Sequence, residues 1–170
     1  MKASKRSVTA AYICALAFIG KGEFAIGEHT FKDTLIYFHR AIVLGHKSAF
    51  VVMLDAINNN KLQISARTFK DTCIELFEKT RDYNIGLTLG VLLSGLKMED
   101  RPQLSFLKLN DPNLGFRYLF LVFKEARGEI QKMASGALSY GLEHNLYTSS
   151  EAIELKQALD QLAHPKNSLT

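Results

Sequence analysis

The five histidines of this 170-residue chain are His29, His39, His46, His144 and His164. An imidazole titrates near neutral pH and ligates metals, so a pair on one helix face could form an acid–base couple or half a metal site. His39 and His46 are about two helical turns apart, too far to share one ion without a nearer ligand. Their expected roles are solvated or helix-capping ones. Cys14 and Cys73 could act as nucleophiles only with an activating base nearby. Each lies instead in an apolar helical pattern and reads as a small core residue. Two cysteines make no disulfide framework, which fits a reducing compartment.

The stretch "IGKGEFAIG" holds Gly20, Gly22 and Gly27 but lacks the Lys-Ser/Thr of a phosphate loop and a strand before it, so it reads as a turn. No H-E-x-x-H, paired C-x-x-C or G-x-S-x-G occurs. Glu75/Glu78 and Glu151/Glu154 have polar neighbours and read as solvated helix faces. The sequence therefore offers no catalytic, metal-binding or cofactor-binding residues, and the expectation is a protein that is not an enzyme.

The elements that position these residues are helical. Hydrophobic residues make up 47% of the chain and charged residues 22%, enough apolar material for a core. Only three prolines occur, and no segment sustains two-residue alternation. The expected order is an apolar helix at 7–19, a second from Thr30 to about Gly45, and a third at 47–57 broken by Asn58–Asn60. A fourth follows at 68–83, with Asn84 closing it, and a fifth at 85–97. After a long connection at 98–111 come 112–126, 128–144 and 148–163.

The pentapeptide "TFKDT" stands at Thr30–Thr34 and again at Thr68–Thr72, 38 residues apart. It reads as a helix start used twice. Thr30 and Thr68 would be N-caps, with Asp33 and Asp71 reaching back three residues later. Thr148 and Glu151 would form a third such box, and Asp111 with Pro112 a further start. Phe31, Leu35, Phe38 and Ile42 fall on one face of the second helix. Phe69, Cys73, Leu76 and Phe77 do so on the fourth, Leu114, Tyr118, Leu121 and Val122 on the sixth, and Ala152, Leu155, Leu159 and Leu162 on the last. Three glycines in 85–97 weaken an isolated helix but suit a close approach between two helices.

The first unit resembles the Sel-one-like repeat, a relative of the tetratricopeptide repeat. The resemblance rests on Ala15-Leu16-Ala17, Gly20, Gly22, Asp33, Tyr37, Ala41, Gly45 and Ala49, and on the 38-residue period. It covers residues 8–50 well and 50–90 partially. The second unit has Asn58–Asn60 in place of the turn glycines, Lys79 opposite Ala41 and Tyr83 opposite Gly45. The resemblance implies an all-α fold, a right-handed stack of about four antiparallel helix pairs. Its units would be about 7–46, 47–84, 85–127 and 128–164, forming one domain over 1–164 with a frayed tail at 165–170. It also implies an adaptor that binds a protein or peptide on a concave face.

In such stacks the first helices line the concave face, which makes Tyr12, Phe50 and Asn58 candidate partner contacts. Arg117 and Lys124, interleaved with Phe116, Tyr118, Phe120 and Phe123, could border a basic groove. No basic stripe of the kind nucleic acid needs follows.

Charge is uneven. Residues 1–50 hold seven Lys/Arg against three Asp/Glu, whereas 51–170 hold fourteen of each. Lys2, Lys5 and Arg6 supply much of the bias and could favour an acidic partner or a membrane surface, or simply form a solvated helix start. "MKASKRSVTAAYICALAFIG" imitates an export signal, but its apolar run lacks a good cleavage site and is too short to span a bilayer. The expected address is the cytoplasm, with export as the alternative. The first helix is apolar enough for self-association.

Overall fold

The computed structural model describes residues 7–20 and 31–163. Among the described residues all regular structure is helical. The α-helices are α1 (Val8–Phe18), α2 (Phe31–Val43), α3 (Ala49–Asn58), α4 (Ala66–Thr80), α5 (Tyr83–Leu93), α6 (Pro112–Glu125), α7 (Gly128–Glu143) and α8 (Ser150–Ala163). A 3-10 helix, Pro102–Leu107, lies in the long connection between α5 and α6. The all-α expectation is thus met.

Helices adjacent in sequence pack together: α1 on α2, α2 on α3, α4 on α5, α5 on α6 and α6 on α7. Two contacts skip one element, α2 on α4 and α5 on α7, whereas neither α3 with α4 nor α7 with α8, the expected helix pairs of 47–84 and 128–164, is among the closely packed pairs. One apolar cluster runs from α1 to α5, with Phe38, Met53, Phe69, Phe77 and Leu89 fully enclosed. A second joins α5 to α8 around Phe116, Leu119, Leu138 and Tyr147. Helix α5 lies between the two clusters. Nearly all its residues from Ile85 to Leu93 are buried, including Gly86 and Gly90, as expected of a helix apolar on every side.

The close approach expected of the three glycines in 85–97 holds for Gly86 and Gly90, whereas Gly95 lies beyond the end of α5 with nothing near its Cβ position. A Cβ on Gly86 would lie 2.8 Å from Phe77 and 2.9 Å from Val122, and one on Gly90 would lie 2.7 Å from Leu119. The missing side chains let α4 and α6 close on α5. The stripe of α4 is buried as read, through Phe69, Cys73, Leu76 and Phe77. On α2, Thr34, Phe38, Ala41 and Ile42 are buried. Gly45 ends that helix at φ +90°, with its N–H donating to Ile42 and that of His46 to Ala41.

Several helix starts and ends differ from the sequence reading. Thr68 is not an N-cap: α4 begins one turn earlier, where Ser65 Oγ accepts from the Thr68 N–H at 3.1 Å. Thr68 sits inside the helix and shares a 2.8 Å hydroxyl contact with Ser65. Asn84 does not close α4 either; Arg81 does, at φ +52°, and Asp82 then caps α5 with Asn84 inside it. At α8 the cap is Ser149, whose Oγ accepts from Ala152 N–H, because Thr148 is drawn to Asn113. Leu159 is 45% exposed and leaves the apolar stripe of α8. Asp111 and Pro112 do start α6, with Asp111 Oδ1 accepting from the Leu114 N–H. The cap read at Thr30, the side chains of Phe31 and Leu162, and the tail at 165–170 lie outside the described residues.

The two hydroxyls at the start of α4 make a direct test. Ser65→Ala should cost about 0.5–2 kcal/mol of stability. Thr68→Ala should cost less, because it removes one exposed side-chain contact and places a better helix former inside the helix. Urea denaturation followed by circular dichroism reads both. The reverse ranking would return the cap to Thr68.

Candidate functional site

The five sequence-derived contact residues do not form one surface. Phe50 must be withdrawn as a contact: it is 3% exposed, because α3 has α2 on one side and the 3-10 helix on another. Asn58 faces that same insertion, and its Oδ1 accepts from the Gln103 N–H at 3.0 Å. Asp55, one turn earlier, holds Arg101 at 2.9 Å. These two pairs pin the connection to α3, so Asn58 acts within the fold. Tyr12 is half-buried, its ring stacked on His46 with centroids 3.7 Å apart. Arg117 is exposed and lies 3.9 Å from Glu151. Lys124 sits over the Phe120 ring at 5.5 Å.

Among the described residues the histidines and cysteines assemble no reactive centre; His29 and His164 lie outside the described residues. His39 Nε2 lies 3.3 Å from Glu75 Oε1 across α2 and α4. Burial lowers its pKa, outweighing the opposing pull of Glu75. The hydrogen bond from Lys79 does most to lower the pKa of Glu75. Burial pushes the Cys73 thiol far up, so it stays protonated in the core; Cys14 is half-buried. Among the described residues no three His, Cys, Asp or Glu side chains are placed to hold a metal.

Two open clefts stand out. One, of about 580 Å³, lies at the start of α4 and mixes Arg67, Lys70 and Lys108 with Asp71 and Asp111. Its charges offset one another, with Arg67 3.8 Å from Asp71. The other, of about 840 Å³, is mainly apolar and lies where α5 ends. Its position follows from local chain geometry. Gly95 takes φ +72° and the Leu96 N–H donates back to Val91, which stops α5 and turns Leu96 into the cleft. The Asp111 N–H donates to Leu93 C=O at 3.0 Å, bringing Asn110 and Pro112 to the rim. From the other side, α7 contributes Ala137 and Tyr140, and the turn after it contributes Leu146. Lys97 and Glu99 add one charge of each sign.

This cleft rests on a rigid base. Gly115 in α6 lies so close to α5 that a Cβ there would be 2.4 Å from Ser94 Oγ. The Tyr147 hydroxyl donates to that same oxygen at 3.3 Å, and burial raises the pKa of the phenol. Asn113 ties the α7–α8 turn down, its Oδ1 accepting from the N–H groups of Thr148 and Ser149. Tyr140, 50% exposed, stacks on His144 at the edge.

None of these cleft residues was read from the sequence as a partner contact. The available signal was an exposed tyrosine one turn before the helix end, which alone carries little. No family model matches this chain, and no curated protein or solved structure matches it.

Proposed function

We propose that this chain is a non-enzymatic interaction module, a right-handed stack of helix pairs of the Sel-one-like kind, that holds a segment of another protein. The observation that carries the reading is the open cleft at the end of α5. Its apolar walls come from three successive helices and the turn that follows, and its rim is polar. Such a site suits one or two apolar anchors of an extended or helical segment flanked by polar contacts. The packing of α4 on α5, α5 on α6 and α6 on α7, each helix on the next, supports a stack in that part of the chain. The groove assignment moves from α1 and α3 to α5–α7, because the 3-10 helix packs against α3.

The test is paired affinity purification with quantitative mass spectrometry. Tyr140→Asp combined with Ala137→Arg places charge in the cleft at positions that are not fully buried. A stoichiometric protein retained by the unaltered chain should fall by about thirtyfold or more with the variant, the effect of losing a hot-spot contact. Unchanged retention by a folded variant would remove the cleft from consideration.

The cytoplasm is the address that suits this reading. Ala11 and Ala15 of α1 are fully buried in the main core, so loss of α1 as a cleaved leader would unroof it. Among the described residues no helix is long and apolar enough to cross a membrane. Intact chain recovered outside the producing cell would favour export instead.

A further inference from the structure

The cleft at the end of α5 does not stop at its rim. Gly95, Leu96 and Asn110 line it and also line a narrower cavity of about 220 Å³. Lys108, Leu109 and Asn110 in turn line both that cavity and the cleft of about 580 Å³ at the start of α4. These shared walls make the three spaces one trough, which follows the chain that leads from the 3-10 helix into α6.

The two ends of the trough differ in chemistry. At the α5 end the apolar walls are Val91, Ala137, Tyr140 and Leu146. At the α4 end Arg67, Lys70 and Lys108 meet Asp71 and Asp111. Both carboxylates are already engaged. Asp71 lies beside Arg67, and Asp111 Oδ1 accepts from the Leu114 N–H to cap α6. Among the described residues no carboxylate pairs with Lys70 or Lys108. Lys70 is half-buried in the wall and Lys108 is exposed.

Between the ends, Leu109 turns inward and Asn110 is exposed. Among the described residues the N–H groups of Leu109 and Asn110 have no hydrogen-bond partner. Free main-chain donors beside a side-chain amide suit the backbone of an extended segment.

We propose that the trough binds one extended, acidic segment of a partner protein. An apolar side chain sits at the α5 end, and carboxylates a few residues away reach Lys70 and Lys108. The inference rests on the cleft reading and names the chemistry of the partner, an apolar anchor with acidic neighbours. An inorganic anion would leave the apolar end unused. A polyphosphate backbone would bring its charge against Asp71 and Asp111.

Selection of a random peptide library, displayed on phage, against the full chain tests it. Enriched peptides should combine an apolar residue with Asp or Glu nearby. Synthetic copies, titrated by fluorescence anisotropy, should bind about tenfold more weakly when Lys70→Gln and Lys108→Gln are combined. Raised salt should shrink that difference. Lys70→Glu with Lys108→Glu should turn the selection toward peptides rich in Lys and Arg. Peptides that need Tyr140 and Ala137 but neither lysine would overturn this inference and leave the cleft reading standing. Peptides that bind the Tyr140→Asp, Ala137→Arg variant unchanged would overturn both. No enrichment, or enrichment without acidic residues, would also overturn the inference. So would a concentration-dependent dimer in light scattering that the two lysine-to-glutamate changes abolish, which would assign the trough to a second copy.

Discussion

Phe77→Ala is expected to lower the unfolding free energy by about 3–5 kcal/mol, the range for truncating a buried aromatic. Phe77 is 2% exposed and sits where α4, α5 and α6 meet. Tyr118 approaches its ring edge-on with centroids 5.7 Å apart, and the Arg81 guanidinium lies 5.5 Å from the ring centroid. Gly86 of α5 lies against the same ring. Removing the ring would leave a void bounded by three helices, and stacked helices cannot all collapse into it at once. The effect should be coupled to Gly86. Alone, Gly86→Ala should cost about 1–3 kcal/mol through overpacking. With Phe77 already truncated, one of its two close contacts is gone and Val122 remains. The double variant should then be more stable than the sum of the singles by about 0.5–3 kcal/mol. Urea denaturation of all four proteins measures this. Strict additivity would mean that Phe77 and Gly86 are not packed as described.

What could be read from the sequence was whatever local periodicity controls. The buried stripes of α2 and α4 follow from three- and four-residue spacing, and the glycines of α5 announced a close approach. Helix starts were less legible where hydroxyls recur. Ser65 and Thr68 stand three apart, so each could serve as the cap, and only the packed structure adds the extra turn beginning at Ala66. Thr148 lost its capping role to a contact with Asn113, 35 residues away. Phe50 was misread for a similar reason: the long connection folds as a 3-10 helix and returns to α3 through Asp55–Arg101 and Asn58–Gln103. Nothing in the local sequence around Asp55 or Asn58 encodes those partners, 46 and 45 residues on. The cleft was illegible for the same cause. Leu96, Pro112, Tyr140 and Leu146 meet only because α5, α6 and α7 end or begin together.

Gly115→Ala is the second large expected effect, and its sign opposes helix propensity. In an open helix interior the exchange stabilises by up to about 1 kcal/mol. Here the added Cβ would lie 2.7 Å from Ser94 N and 2.9 Å from Gly90 O, in addition to 2.4 Å from Ser94 Oγ. Two of these three atoms are backbone, so no rotamer change relieves the contact and α6 must back away from α5. A net loss of about 1–3 kcal/mol is expected. Ser94→Ala should rescue little of it, because only the hydroxyl contact disappears. Separation of the helices would also disturb the Tyr147–Ser94 hydrogen bond under the cleft, so partner retention should fall with stability. Gly136 in α7 is the control. A Cβ there meets nothing within 4 Å, and Gly136→Ala should stabilise by about 0.4–1 kcal/mol. The same chemical change thus acts in opposite directions at two helical glycines. If both variants stabilised the chain, α5 and α6 could not approach as closely as the structure places them, and the cleft would lose the base that fixes its shape.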